Sequence, residues 1–239
     1  MQRAFVFPGQ GSQKVGMGQD LARDFAAARE VFEEVDEALE ERLSALIFAG
    51  PEEQLRLTRN TQPALMAMSM AVIRVIESES GYKIAELAAA MAGHSLGEYS
   101  ALAAAGAISL ADAARLLRLR GDAMQRAVPV GEGAMTALLG TDLALAEEIA
   151  TAAIASTSGE AAVGGVCTLA NDNAPGQVVL SGSKAAIDRA IVLAGEKGVN
   201  KAVLLPVSAP FHCPLMAPAA AVMAAALGAV ARQPPAIPL

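Results

Sequence analysis

The order of its predicted elements places this chain in the α/β class. A large α/β domain with a mostly parallel sheet is interrupted by a small inserted domain of its own βαββαβ order. Three observations predict this. A β-like run, Ala4–Phe7 (AFVF), meets Pro8, Gly9 and Gly11 at once, as a strand does before a turn. Helical periodicity then dominates from about Asp20 to Ser78. From Gly133 onward the texture changes to alternating strand and helix signals in the ferredoxin-like order.

Taken in order, AFVF is the first strand, and the helical stretch after it breaks near Gly50-Pro51 and near Asn60. A small apolar run before Ser95 reads as a strand, with helices on either side of Gly106. A helix from Leu110 to about Ala127 opens on Ser109 and Asp112, a start of capping-box type. Then come AMTALLG as strand, DLALAEEIATAAIAS as helix, VCTLAND and GQVVLSG as strands, SKAAIDRAIVLAGEKG as helix and VNKAVLLPV as strand. The domains are therefore expected at residues 1–130 with 201–239, and at 131–200. A final helix is stopped by Pro234 and Pro235, and three residues after it read as the start of a strand. A domain rarely ends on a strand just begun, so the chain is expected to stop short of its natural carboxyl end.

Composition narrows the function classes. With 239 residues, 54% of them apolar, the chain can build one large or two modest cores. No uninterrupted apolar run is long enough to cross a bilayer, and the amino-terminal run is too short for a signal-peptide core, so a cytoplasmic protein without a membrane association is expected. The net charge of −7 argues against nucleic-acid binding. Two cysteines, Cys167 and Cys213, and two histidines are too few for a disulfide framework or a structural zinc site, so the thiols read as buried and no metal is expected.

The first chemical signal is MAGHSLGEYSALAAAG. Gly93-His94-Ser95-Leu96-Gly97 fits G-x-S-x-G, the elbow in which a sharp strand-to-helix turn exposes a serine hydroxyl. The alternative is a serine that only caps a helix. A nucleophilic serine needs a base, and the chain offers only His94 and His212. His94 neighbours Ser95 in a tight turn, where its side chain should diverge. His212, in the proline-flanked loop VSAPFHCPLM after a predicted strand, is the base by elimination, unless it is a loop histidine with a structural role. No acid follows it, and Asp172 is the least implausible third member; a Ser-His dyad oriented by a backbone carbonyl fits better.

A second signal lies on the Leu110–Ala127 helix. At about 100° per residue, Ala113, Leu116, Leu117, Met124 and Ala127 form one apolar stripe, and Arg120 falls within it. Arg115, Arg118 and Arg126 fall on the opposite face, where a solvated role is expected. A guanidinium on a core-facing stripe must be paired, either with a protein carboxylate or with a ligand carboxylate. The pattern alone leaves both open.

Three segments, FVFPGQGSQ, TQPAL and GHSLGEYSAL, together resemble the malonyl-CoA:acyl carrier protein transacylases, and RGDAMQ, GAMTALLG, NAPGQVVLSG and FHCPLM continue the resemblance in order along the whole chain. The resemblance implies an α/β-hydrolase-like large domain beside the ferredoxin-like one. It implies that Ser95 is acylated, that His212 is its general base and acid, and that Arg120 binds the malonyl carboxylate. The backbone N–H groups of Gln10 and Leu96 would form the oxyanion hole, and Phe211 would crowd a substituent at C2 of the acyl group. The reaction would be ping-pong, from malonyl-CoA to the phosphopantetheine thiol of acyl carrier protein, in fatty-acid synthesis, with no resident cofactor or metal. The family continues past Leu239 with further strands and with the carbonyl that orients the histidine.

Polyketide acyltransferase domains share the core motifs and are the nearest rival; a serine esterase or thioesterase and a non-catalytic carrier-protein-binding module are the others. The acidic carrier protein is expected to dock on basic residues, with Arg115, Arg118, Arg126, Lys184, Arg189 and Lys201 as candidates by charge. A monomer is the expected state.

Overall fold

The structure, a computed structural model, describes residues 3–155 and 165–239. It divides into two units, Met1–Asp122 with Met223–Leu239, and Ala123–Val222.

In the first unit, β1 (Ala4–Phe7) and β2 (Ala90–Gly93) pair in parallel, Ala4 opposite Ala90 and Phe7 opposite Gly93. Helices α1 (Gln19–Asp24), α2 (Ala26–Leu39), α3 (Leu43–Ala49), α4 (Glu52–Leu55), α5 (Thr58–Ser80) and α6 (Ile84–Leu87) lie between them in sequence. After β2 come α7 (Gly97–Ala104) and α8 (Leu110–Ala127). The α2 residues Ala28, Val31, Phe32 and Val35, spaced to share one helix face, are buried in one cluster with Ala64, Ala67 and Ala71 of α5 and Ala113 and Leu117 of α8. Each large side chain so buried contributes about 1.5–3 kcal/mol. A second cluster, Phe7, Ile73, Ile84, Met91, Ala101, Ala105 and Ile237, packs around the two strands.

Most boundaries follow the local chemistry. The α8 start is capped as its sequence predicts, the Asp112 N–H donating to Ser109 Oγ at 3.0 Å. The break expected at Asn60 lies instead at Leu57, and Asn60 sits inside α5. Its side chain does not end the helix, because its amide donates to the Gln54 carbonyl (2.8 Å) and its oxygen accepts from Arg118. The residues expected to begin a strand at the carboxyl end make no ladder. The Pro238 carbonyl accepts from the Met91 N–H at 2.9 Å, and Ile237 is buried.

In the second unit the order is β3 (Gly133–Leu139), α9 (Leu143–Ile154), β4 (Cys167–Ala174), β5 (Gln177–Ser183), α10 (Lys184–Glu196) and β6 (Lys201–Leu204). The sheet runs β4-β5-β3-β6 with every neighbour antiparallel. Asp142 caps α9, accepting from the Leu145 N–H at 2.8 Å; Ser156, expected as the last residue of that helix, lies outside the described residues. Alternation along β3 buries both faces. Ala134 and Leu138 join Ile149 of α9 and Ile187 of α10, while Met135 and Ala137 join Val179, Phe211 and Met216. Helix α11 (Ala217–Ala229) follows a short 3₁₀ turn, Pro214–Met216.

Both cysteines are free and buried, as their composition suggested. Among the described residues no helix is long and apolar enough to cross a membrane, and no group of three or more His, Cys, Asp or Glu residues is placed to hold a metal ion.

Candidate active site

Parallel pairing of β1 and β2 sends the loops after Phe7 and after Gly93 out of the same edge, the carboxyl end, where open α/β sheets gather their functional groups. The two loops are tied together, the His94 N–H donating to the Phe7 carbonyl at 3.0 Å. A side chain at Gly9 would strike the imidazole of His94. The first glycine of PGQGSQ is thus the space in which the His94 ring lies.

Ser95 has φ 56°, a left-handed backbone that serine rarely adopts. The turn is that tight because α7 begins directly after it, Gly97 N–H donating to the His94 carbonyl (3.0 Å) and Glu98 N–H to that of Ser95 (3.1 Å). Both glycines of the motif are required by close approach. A Cβ at Gly93 would overlap the backbone of Gly97 and Glu98, and one at Gly97 would overlap the Phe7 carbonyl. The strand, turn and helix of a nucleophile elbow are therefore all present around Ser95. The backbone N–H of Leu96 stands at the open amino end of α7, ahead of the first helical hydrogen bond. Gln10, in the neighbouring turn, is anchored by its side chain, whose Nε2 donates to Thr58 Oγ1 at 3.3 Å.

Arg120 reaches this site from α8. Its Nη2 donates to Ser95 Oγ at 3.0 Å and its Nη1 to Gln62 Oε1 at 2.8 Å, and its guanidinium carbon lies 5.9 Å from the centre of the Tyr99 ring. Burial pushes the Arg120 pKa below its ordinary value, opposed by Tyr99 and by the Glu98 carboxylate. Burial likewise raises the Tyr99 phenol, against the pull of Arg120. Among the described residues no carboxylate lies within 4.0 Å of the Arg120 guanidinium. Of the two pairings open to a guanidinium on the apolar stripe, a protein carboxylate is therefore not found among the described residues.

Arg118 corrects an expectation. Its place on the polar face predicted a solvated side chain and a docking role, yet it is only 9% exposed. Pro63 inside α5 has no N–H, so the Arg59 carbonyl four residues earlier loses its helical partner. Gly121 lets α8 come close at that point, where an added Cβ would lie 2.6 Å from the Arg59 Cα. Arg118 Nη1 fills the gap, donating to the Arg59 carbonyl at 2.9 Å and to Asn60 Oδ1, while Nη2 pairs with Glu41 at 2.7 Å. Burial lowers its pKa, partly offset by Glu41. Of the other basic candidates, Arg126 and Lys201 are exposed, whereas Lys184 is paired with Asp188 and exposed Arg115 with Asp112.

The second unit carries His212 and Phe211. His212, exposed, has φ 58°, so two of the three positive-φ residues other than glycine among the described residues are the predicted nucleophile and base. The loop holding His212 is pinned on both sides, Gln125 Nε2 donating to the Ser208 carbonyl (3.3 Å) and Cys213 Sγ to that of Pro210 (3.1 Å). Pro210 itself packs on Gly133, where a side chain would collide with its ring. Phe211 is 7% exposed, within the cluster of Met135, Val179 and Met216. Asp172, the least implausible third member, is exposed on β4 and lines a cleft of about 540 Å³ together with Asp142.

Residue-level reading missed Thr58, Gln62 and Tyr99, which contact Gln10 and Arg120. TQPAL was visible as a motif, but nothing local tells that the glutamine beside a mid-helix proline faces a cation.

Residues 4–239 match the acyl transferase domain family. Over 238 residues, the whole of this chain and 73% of the relative, the chain is 47% identical to the malonyl CoA-acyl carrier protein transacylase of Escherichia coli (strain K12). The solved acyl-carrier-protein S-malonyltransferase of Bartonella henselae is 56% identical and superposes with a TM-score of 0.93 over all of this chain and 73% of that one. A malonyl-transacylase solved in complex with a type II polyketide acyl-carrier protein is 42% identical, with a TM-score of 0.91 over all of this chain and 73% of that one. These likenesses establish a mixed α/β fold with parallel and antiparallel sheets, and with the elbow and the arginine beside its serine in place, the chain belongs to the malonyl-CoA:acyl carrier protein transacylases of the acyl transferase domain family.

Proposed function

We propose that this chain moves a malonyl group from malonyl-CoA to the phosphopantetheine thiol of acyl carrier protein through a malonyl-serine intermediate, for fatty-acid synthesis in the cytoplasm. The observation that carries the reading is the contact of Arg120 with Ser95: a half-buried cation with no carboxylate of the described residues beside it touches the candidate nucleophile. A guanidinium so placed favours an acyl group that brings its own carboxylate, and its planar fork suits two parallel hydrogen bonds to one.

Ser95 Oγ attacks the thioester carbonyl and His212 takes its proton. The carbonyl oxygen, now an anion, accepts from the N–H groups of Leu96 and Gln10, a donor pair of the kind that supplies about 3–4 kcal/mol per donor elsewhere. Collapse of the intermediate breaks the C–S bond, and the CoA thiolate leaves with the proton from His212. The carrier thiol then repeats the attack on the ester with His212 again as base, and Ser95 recovers its proton. No metal or resident cofactor takes part in these steps. Phe211 restricts room for a branch at C2. The second unit fits the ferredoxin-like arrangement by its element order and strand order, and the first an α/β-hydrolase-like one by its elbow; residues 131–200 within the second unit are the inserted domain. The protein acts as a monomer, and Arg126, Arg189 and Lys201 offer the carrier protein basic contacts.

Intact-protein mass spectrometry after brief mixing with malonyl-CoA tests this. One malonyl adduct is expected on the chain and none on Ser95→Ala. A folded chain that takes no adduct, or one that releases malonate to water as fast as it forms, overturns the reading.

A further inference from the structure

The mechanism leaves Gln62 without a task, although the fold invests in its placement. It is 1% exposed in the second turn of α5, and its Oε1 accepts from Arg120 Nη1 at 2.8 Å. Thr58, one turn earlier on the same face and equally buried, holds the side chain of Gln10. The α5 start that carries both is itself fixed, Thr61 Oγ1 donating to the Leu55 carbonyl at 2.6 Å and Asn60 Nδ2 to that of Gln54. Gly121, next to Arg120 on α8, lets the two helices approach closely enough for Gln62 to reach the guanidinium.

We propose that Gln62 is a positioning residue for selectivity: by occupying Nη1 with a neutral acceptor, it fixes the roll of the Arg120 guanidinium and leaves its charge uncancelled for the carboxylate of the acyl group. This rests on the malonyl-transfer reading and deepens it. Two features of the chemistry carry the argument. A guanidinium largely withdrawn from water needs acceptors, and a carboxylate at this position would satisfy it best, but would form an internal ion pair and cancel the attraction for a substrate anion. An amide oxygen satisfies one N–H group and leaves the charge intact. With Nη1 held, the Nη2 edge is directed at Ser95 Oγ, so the distance between the carboxylate site and the attacking oxygen is set by the α5–α8 packing. Selection of an acyl group by the position of its carboxylate then belongs to the Gln62–Arg120 pair.

The test is a competition. The chain and its Gln62→Glu and Gln62→Met variants are mixed briefly with equal malonyl-CoA and acetyl-CoA, and the ratio of the two adducts on Ser95 is read by mass spectrometry. Because only folded molecules are acylated, the ratio does not depend on how much of a variant is folded. Glu keeps the shape and adds a cancelling charge; Met keeps the volume and removes the acceptor. The malonyl-to-acetyl ratio is expected to fall about 10- to 100-fold in both, the loss expected for a hydrogen bond to a charged group. The loss should sit in a raised half-saturating malonyl-CoA concentration, with acetyl transfer falling less than malonyl transfer. An unchanged ratio, or equal loss of both adducts, overturns the proposal and leaves Gln62 a packing residue. A parent chain that takes no malonyl group overturns the functional reading and the proposal with it, and is told apart because the failure precedes any variant.

Discussion

Nη2 of Arg120 donates to Oγ of Ser95 at 3.0 Å, so the cation and the nucleophile of the first unit are held in direct contact before any substrate arrives. The geometry makes a sharp distinction between arginine and lysine. A lysine keeps the charge but has a single head on a flexible stem, so it cannot hold Gln62 and face Ser95 with two ends of one plane. Arg120→Lys is expected to lower kcat/KM for malonyl-CoA by about 10-fold or more, an energy of about 1.4 kcal/mol or above, through KM more than through kcat. Steady-state transfer assays on the purified variant check this, and a lysine variant that works as well as the parent would show that charge alone suffices.

The elbow predicts a contrast among glycines. At Gly93 and Gly97 an added methyl meets backbone that has nowhere to go, since β1, β2 and α7 are joined there by main-chain hydrogen bonds. Overpacking of this kind costs about 1–3 kcal/mol, and any relief moves Ser95. Gly195 in α10 meets nothing within 4 Å of an added Cβ. Gly195→Ala should raise stability by about 0.5–1 kcal/mol, as alanine does inside a helix. Urea unfolding with acylation of Ser95 as the second readout separates the cases. Destabilisation without loss of acylation at Gly93→Ala would remove the steric account of the motif.

How much of this was legible in the sequence depended on whether the signal was local. The elbow is local: its glycines, serine and flanking strand and helix occupy consecutive residues, so their pattern announces the turn. Arg120 was legible because a single helix carries both its apolar stripe and the anomaly in it. Arg118 was not, because what buries it is a carbonyl freed by Pro63 on a different helix, more than fifty residues earlier. Gln62 was hidden for the same reason, its partner being fixed by the approach of α8 at Gly121. Helical periodicity assigns one buried face, and α8 has neighbours on more than one side, so a polar face by pattern became an interior one by packing.

The Pro63–Arg118 relationship is itself open to measurement. Arg118→Met should destabilise the chain by about 1–3 kcal/mol, because it strands the Arg59 carbonyl and the Asn60 side chain in a buried place. Pro63→Ala would return an N–H to the helix and give the Arg59 carbonyl its ordinary partner. The cost of Arg118→Met should therefore be smaller in a Pro63→Ala background, with a coupling of about 0.5 kcal/mol or more in a double-mutant cycle from urea midpoints. Strict additivity of the two changes would mean that the arginine does not substitute for the missing helical hydrogen bond.

The second unit offers a prediction in pH. Cys167 is 4% exposed at the start of β4, and burial, with a smaller contribution from Cys213, pushes its thiol up from 9.0 to about 11. Below pH 9 the thiol is protonated in both the folded and the unfolded chain and contributes nothing to the pH dependence. Between pH 9 and 11 the unfolded chain gives up the proton while the folded one keeps it, so the unfolded state binds fewer protons and stability falls as pH rises. Urea midpoints taken across this window should therefore decline more steeply for the parent than for Cys167→Ala, which has no thiol to ionise. The variant begins from a lower stability at neutral pH because it leaves a small cavity, so it is the slope, and not the absolute midpoint, that carries the answer. Parallel slopes would place the alkaline loss elsewhere, on groups that titrate alike in both chains.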